Sequence, residues 1–162
     1  MKQLAAKFEE TLPDGTKIGT LKWREGNKNK VTGNTLILPY LDARMVSKRL
    51  TDTLGLNWAD EYEETADSGM LCKITLTLAD GATITRSDVG TKSTYEKEKG
   101  QVSDAFKRAA VKFGIGAYIY ELAPVELKKT RDGFLTPDGK TEIKAADLSA
   151  FLNGNKPELV SL

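Results

Sequence analysis

CKITLTLADGATITR, residues 72–86, alternates apolar and polar side chains on both sides of a turn signal. Cys72, Ile74, Leu76 and Leu78 take one face of a strand and Lys73, Thr75 and Thr77 the other, so one face is buried and the other meets water. Asp80-Gly81 is a two-residue hairpin signal, because such turns need positive φ and these residue types adopt it at low cost. Through Ile84 the alternation resumes in Ala82–Arg86, which predicts an antiparallel pair. Upstream, Trp58 and Tyr62 alternate with acidic residues and supply a third strand. An antiparallel β-β-β meander follows.

On the N-terminal side, the residues through about Glu10 have helical composition and stop at the turn Pro13-Asp14-Gly15, which predicts a short helix. Thr16–Arg24 and Leu36–Leu38 predict a strand pair around a basic loop, Gly26–Asn34. Ala43, Val46, Leu50 and Leu54 recur near helical spacing, and Gly55 stands where that amphipathic helix would stop. On the C-terminal side, Ser93-x-x-Glu96 matches a capping box for a long helix that ends at Gly114 and is weakened by Gly100. Then come Tyr118–Leu122, a turn at Pro137-Asp138-Gly139, a helical patch over Ala145–Leu152 and a polar tail. This order predicts an α+β fold: a meander packed with a long helix, plus an N-terminal strand pair and a second amphipathic helix.

With 162 residues, 40% of them apolar, the chain suits one domain. Twenty-four basic against twenty-three acidic residues leave a formal charge of +1, so any basic site must be local. Charge is segregated along the sequence: Lys17, Lys22, Arg24, Lys28 and Lys30 near the first strands, Arg44, Lys48 and Arg49 on the second helix, and Asp60, Glu61, Glu63, Glu64 and Asp67 between. Such blocks are most often solvated surface, and they also suit a basic groove with an acidic back. Cys72, the only cysteine, fits a buried apolar role in a reducing compartment. Without histidine, Ser-His and Cys-His catalysis and histidine metal sites are excluded. No stretch approaches the ~20 apolar residues that span a bilayer. A cytoplasmic protein is expected, with no membrane partner.

Along the long helix, Val102, Phe106, Ala109 and Phe113 form an apolar core stripe. At about 100° per residue, Lys107 and Arg108 fall on the two shoulders of the outward face, and Asp104, Arg108 and Lys112 line up. Spacing alone favours a solvated face with an Asp104–Arg108 pair; the functional reading is a phosphate-binding edge. Val111 lies almost opposite the core stripe, where a solvated face would carry a polar residue, and marks a candidate subunit contact.

Enzyme signals are weak. Gly133–Thr141 misses phosphate-loop spacing by one residue, and Gly114-Ile115-Gly116 ends a helix instead of opening one. Glu126-Leu127-Lys128 and Glu142-Ile143-Lys144 match half of a metal-nuclease site, a tripeptide common by chance. That leaves a metal-dependent nuclease as the different-class alternative; no enzyme, catalytic residue, metal or cofactor is expected.

VSDAFKRAAVKFGIGAYIYEL, Val102–Leu122, closely resembles the signature helix of Rad52-type single-strand annealing proteins, in the branch of phage Sak and bacterial DdrA. LKWRE at Leu21–Glu25, YLDARMVSKRLTDTLGLNW at Tyr40–Trp58, GMLCKITLTLADG at Gly69–Gly81 and Asp88-Val89-Gly90 resemble the family in the same order, so the likeness covers about residues 18–122. It implies a curved sheet crossed by a helix, assembled side by side as a homo-oligomeric ring whose groove holds single-stranded DNA. Function would be ATP-independent binding and annealing in recombination or break repair; end protection without strong annealing is the runner-up. The family's Lys-Arg pair on backbone phosphates corresponds to Lys107 and Arg108, and its strand arginine to Arg24. Lys112, Arg44 and Lys48 complete the expected DNA-binding set. The second, outer site of some relatives is not carried over, since its lysine is Ala79 here. Residues 1–125 are expected to be the DNA-binding, oligomerising core and 126–162 an extension of unknown role, with a host or phage single-strand-binding protein or exonuclease as a further candidate partner.

Overall fold

The computed structural model of the chain describes residues 2–90, 99–154 and 160–161. In chain order the elements are β1 (Glu9–Thr11), β2 (Lys17–Gly19), β3 (Lys22–Lys28), β4 (Thr35–Tyr40), α1 (Ala43–Leu54), β5 (Trp58–Glu64), β6 (Met70–Thr77) and β7 (Thr83–Gly90). They continue with α2 (Lys99–Val111), β8 (Val125–Leu127), β9 (Gly133–Leu135), β10 (Thr141–Lys144), α3 (Leu148–Leu152) and β11 (Val160–Ser161), with a 3-10 turn at Ala117–Glu121. The fold is α+β with antiparallel sheets. Two compact units form, one of Met1–Ala6 with Leu41–Tyr118, the other of Lys7–Tyr40 with Ile119–Leu162.

In the first unit, β5, β6 and β7 make the expected meander in that order. Cys72, Ile74 and Leu76 are buried while Thr75 on the other face bonds Thr85 across the pair, as the alternation requires. The β6–β7 connection is longer than the two-residue turn expected. Leu78 and Ala82 remain paired, N to O at 2.8 Å, and Ala79, Asp80 and Gly81 form a three-residue loop with Gly81 at φ 82°. Asp80 stabilises that form by accepting from the Ala82 N–H at 3.0 Å, and a turn ending in a left-handed glycine is the common three-residue solution.

Asp42 caps α1 by accepting from Met45 N at 2.9 Å, and Gly55, at φ 62°, closes it by donating to Thr51 O. Val46 and Leu50 are its buried face. The expected capping box Ser93–Glu96 lies outside the described residues. α2 packs on β6, β7 and α1, and this breadth widens its buried arc beyond the expected stripe. Phe106, Ala109 and Phe113 are buried, but so are Gln101, Ala105 and Ala110, whereas Val102 is only half-buried. Gln101 tolerates burial because its Nε2 donates to Ser68 O at 2.8 Å.

The N-terminal residues, divided between the two units, correct the expectation of a helix. Residues 2–6 form turns, and Glu9 and Glu10, expected as the end of a helix, belong with Thr11 to a strand paired with β2 across the Pro13-Asp14-Gly15 turn. A turn that compact returns the chain on itself, and pairing satisfies backbone groups that a helix so short would leave open. The extended run after it breaks at Thr20-Leu21 into β2 and β3. β3, β4 and β8 form one sheet and β9, β10 and β11 another, with Ile37, Leu127, Phe134, Ile143 and Leu148 buried together under Trp23. The residues after 125 therefore share a core with the N-terminal strands.

At Gly90 the end of β7 comes so near α2 that an added Cβ would stand 2.2 Å from Gln101 O and 2.6 Å from Ala105 N. Neither backbone atom can swing aside as a side chain would. Gly90→Ala should lower unfolding free energy by about 1–3 kcal/mol or more through overpacking, read by urea titration. Wild-type stability in that variant would show that α2 does not rest on β7 this closely.

Candidate nucleic-acid interface

The outward face of α2 carries Asp104, Lys107, Arg108 and Val111, with Lys112 at its edge just past the last helical turn. Arg108 and Lys112 are exposed; Lys107 and Val111 are half-buried. The two exposed cations share one carboxylate. Arg108 Nε lies 3.4 Å from Asp88 Oδ1 and Lys112 Nζ 3.3 Å from Asp88 Oδ2, while Lys112 also donates to Ser87 O at 2.5 Å. Lys107 has no ion pair among the described residues. Asp88, near the end of β7, thus orders the cationic edge that α2 presents.

Burial pushes the Asp88 carboxyl up, but the Val89 N–H, Lys112 and Arg108 together outweigh it and hold the group below its ordinary range. The local charge of Asp88, Arg108, Lys112 and Lys107 stays positive. The cations are placed and oriented but only partly neutralised.

Arg44 and Lys48 stand exposed on α1, and Lys48 pairs with Asp52 one turn on at 2.6 Å. They line an open groove of about 630 Å³ with Ser47 and Thr51 of α1 and with Trp58, Asp60 and Tyr62 of β5. Trp58 packs on Phe106 with ring centroids 6.2 Å apart. Tyr62 is 42% exposed and donates to Asp60 Oδ2 at 2.6 Å; burial and that carboxylate push its hydroxyl pKa up, so it remains a neutral phenol. These aromatic walls were missed in the sequence, where the alternation of Trp58 and Tyr62 signals a buried face. Arg49, third of the α1 basic trio, donates instead to Gln3 O at 3.1 Å and Ala6 O at 2.7 Å and so holds the N-terminal turns.

Arg24 belongs to the second unit. It is exposed on β3 with its guanidinium 5.7 Å from the centre of the Tyr40 ring, a cation–π arrangement that keeps the charge accessible. Of the expected set, Lys107, Arg108, Lys112, Arg44 and Lys48 thus fall in one unit and Arg24 in the other.

The half-motifs of a metal nuclease are otherwise engaged. Glu126 accepts from Asn29, Thr32 and Asn34, and Glu142 accepts from Thr130 Oγ1. Among the described residues no three acidic, cysteine or histidine side chains are grouped to hold a metal ion. Nor is any described helix long and apolar enough to cross a membrane.

A helix-backed antiparallel meander whose helix carries cations beside a strand carboxylate defines an α+β domain with a cationic edge. The chain belongs to the Rad52/22 family of double-strand break repair proteins, whose pattern matches residues 1–132. It is 34% identical over 106 residues to the single-stranded DNA-binding protein DdrA of Deinococcus radiodurans, covering 64% of this chain and 50% of that protein. The DdrA of Deinococcus deserti is 33% identical over 106 residues, 62% of this chain and 50% of its own. The chain spans about half the length of these curated relatives, which are named as DNA-binding proteins and not as enzymes.

Because Asp88 titrates below its ordinary value in the folded chain, its stabilisation is complete above the unfolded value near pH 4 and is lost as pH falls through the folded one. Asp88→Asn should therefore cost about 1 kcal/mol or less at neutral pH, the gap to wild type closing in acid as pH falls through the folded value of Asp88. Urea titrations at both pH values measure it; an equal gap at both would show that the charge of Asp88 is not what holds Arg108 and Lys112.

Proposed function

We propose that this chain binds single-stranded DNA through phosphate contacts and anneals complementary strands as a ring of identical subunits, without ATP, in recombination or break repair in the cytoplasm. The row Lys107, Arg108 and Lys112 along α2 and its end, the last two ordered by Asp88 of β7, in a Rad52/22-family chain carries this reading. Arg44, Lys48 and Arg24 extend it as further phosphate contacts. Annealing forms no covalent bond. It needs only a surface that neutralises phosphates and leaves base edges free to sample a complement, so contacts blind to sequence suffice. Trp58 and Tyr62 add faces on which a splayed base can stack. A few cations per subunit bind weakly, and a ring multiplies them along one strand by effective concentration. Residues 1–125 serve this activity, with 126–162 as an extension and a single-strand-binding protein or exonuclease as further partner.

End protection is the second reading, favoured by the name of the Deinococcus relatives, which states single-stranded DNA binding alone. Wild-type protein should accelerate pairing of labelled complementary strands, and Lys107→Ala with Arg108→Ala should neither bind nor accelerate while still folding, its melting remaining cooperative and lowered by no more than the loss of the Arg108–Asp88 pair. Binding without acceleration would establish protection in place of annealing. Full binding by the double variant would remove the phosphate-edge reading.

Assembly is tested at Val111, half-buried on the outward side of α2 at its C-terminal end. If a neighbouring subunit covers it, Val111→Asp introduces a carboxylate into that contact at a cost of a few kcal/mol per interface. Light scattering should then give smaller particles, and DNA affinity should fall with them. An unchanged particle with unchanged affinity would show Val111 to be plain surface.

A further inference from the structure

The tip of the β3–β4 hairpin, KNKVTGN at residues 28–34, is built with more hydrogen bonds than a surface turn requires. Asn29 N donates to Asn34 O at 2.8 Å and Gly33 N to Asn29 O at 2.9 Å, with Gly33 at φ 75°. Asn29 Oδ1 accepts from Val31 N at 2.9 Å, and Thr32 Oγ1 accepts from Asn34 N at 3.2 Å. Beneath the tip, Glu126 of β8 gathers three side chains: Asn29 Nδ2 at 2.9 Å, Asn34 Nδ2 at 3.1 Å and the Thr32 hydroxyl. Those donors, Thr32 first and then Asn29, hold the Glu126 carboxyl below its ordinary range, so the hub is ionised at neutral pH.

Ordering an exposed loop costs conformational entropy, and here it is not compensated by burial. Val31 at the apex is 93% exposed. Lys28 and Lys30 beside it are exposed too, and neither has an ion pair among the described residues. The carboxylate at the base accepts from the loop's own donors, so the tip leaves exposed two lysine side chains and one isopropyl group. An acidic protein surface would satisfy the lysines alone. Single-stranded nucleic acid matches all three, with phosphates for Lys28 and Lys30 and an unstacked base face for Val31, since apolar side chains wedge readily against bases that have left their stack.

We propose that this rigid tip is a separate single-strand contact, a finger in which Lys28 and Lys30 hold neighbouring phosphates and Val31 packs on a base. It rests on the single-stranded DNA reading above and adds to it a site on the second unit that none of the residues assigned there occupies. The Glu126 hub acts as a positioning group: it touches no DNA and fixes the angle at which the tip meets it.

The test is fluorescence anisotropy of labelled oligothymidine with the full chain across a salt series. Lys28→Ala with Lys30→Ala should weaken binding and flatten the logarithmic salt slope by ~0.7 for each phosphate that is no longer neutralised. Val31→Ser should weaken binding several-fold and leave the slope unchanged, because it removes no charge. All the substitutions lie on exposed side chains, so melting curves should match wild type. Wild-type affinity and slope in both variants would overturn the finger while leaving the α2 edge standing. A change of particle mass with unchanged affinity would overturn it as well and make the tip a contact between copies. If the wild-type chain itself bound no oligothymidine, the parent reading would fall and the finger with it.

Discussion

Gly90 lets the end of β7 and the first turns of α2 approach within a distance that no other residue permits, and the cationic edge depends on that approach. Two residues back along β7, Asp88 is thereby brought within reach of Arg108, about a turn further along the helix, and of Lys112 just past its end. A strand and a helix far apart in sequence meet at one carboxylate. The same packing sets which arc of α2 is buried, and so which arc is left to carry Lys107 and Val111 outward. Were α2 to lift from β7, the cations would remain in the sequence but lose their common orientation.

Pairing a cation with a carboxylate works against binding phosphate, yet the magnitudes reconcile the two. Exposed ion pairs contribute little, about 0–1 kcal/mol, so Asp88 can hold Arg108 and Lys112 in place without locking them against a polyanion. A lysine and an arginine ordered beforehand lose less side-chain entropy on binding than free ones. One carboxylate serving two cations, with Lys107 unpaired among the described residues, still leaves the edge net positive.

Much of the first unit was legible in the sequence because its signals are local. Alternation at Cys72–Leu78 gives the meander, and Val46 and Leu50 with Gly55 give α1 and its stop. Misreadings arose where tertiary context overrode local preference. Glu9 and Glu10 have helical composition but pair with β2, and Asp80-Gly81 resembles a two-residue turn until the Leu78–Ala82 pair sets a three-residue loop. Periodicity located Lys107, Arg108 and Lys112 on one helix face, but their carboxylate partner lies on a strand twenty and more residues away and leaves no trace in spacing. The same is true of Glu126, which closes the β3–β4 tip from a separation of more than ninety residues. The aromatic wall at Trp58 and Tyr62 was hidden by a rule that normally succeeds: alternation marks a buried face, whereas Tyr62 lies partly exposed in the groove.

The central claim is that affinity comes chiefly from cations meeting phosphates, with the base edges left free. Its most direct measure is the affinity of the wild-type chain for oligomers of mixed sequence as salt is raised. Phosphate neutralisation predicts a linear fall of log affinity with log salt, the same for every sequence and steep in proportion to the phosphates neutralised, at ~0.7 per phosphate on a single strand. An affinity that did not change with salt would contradict it.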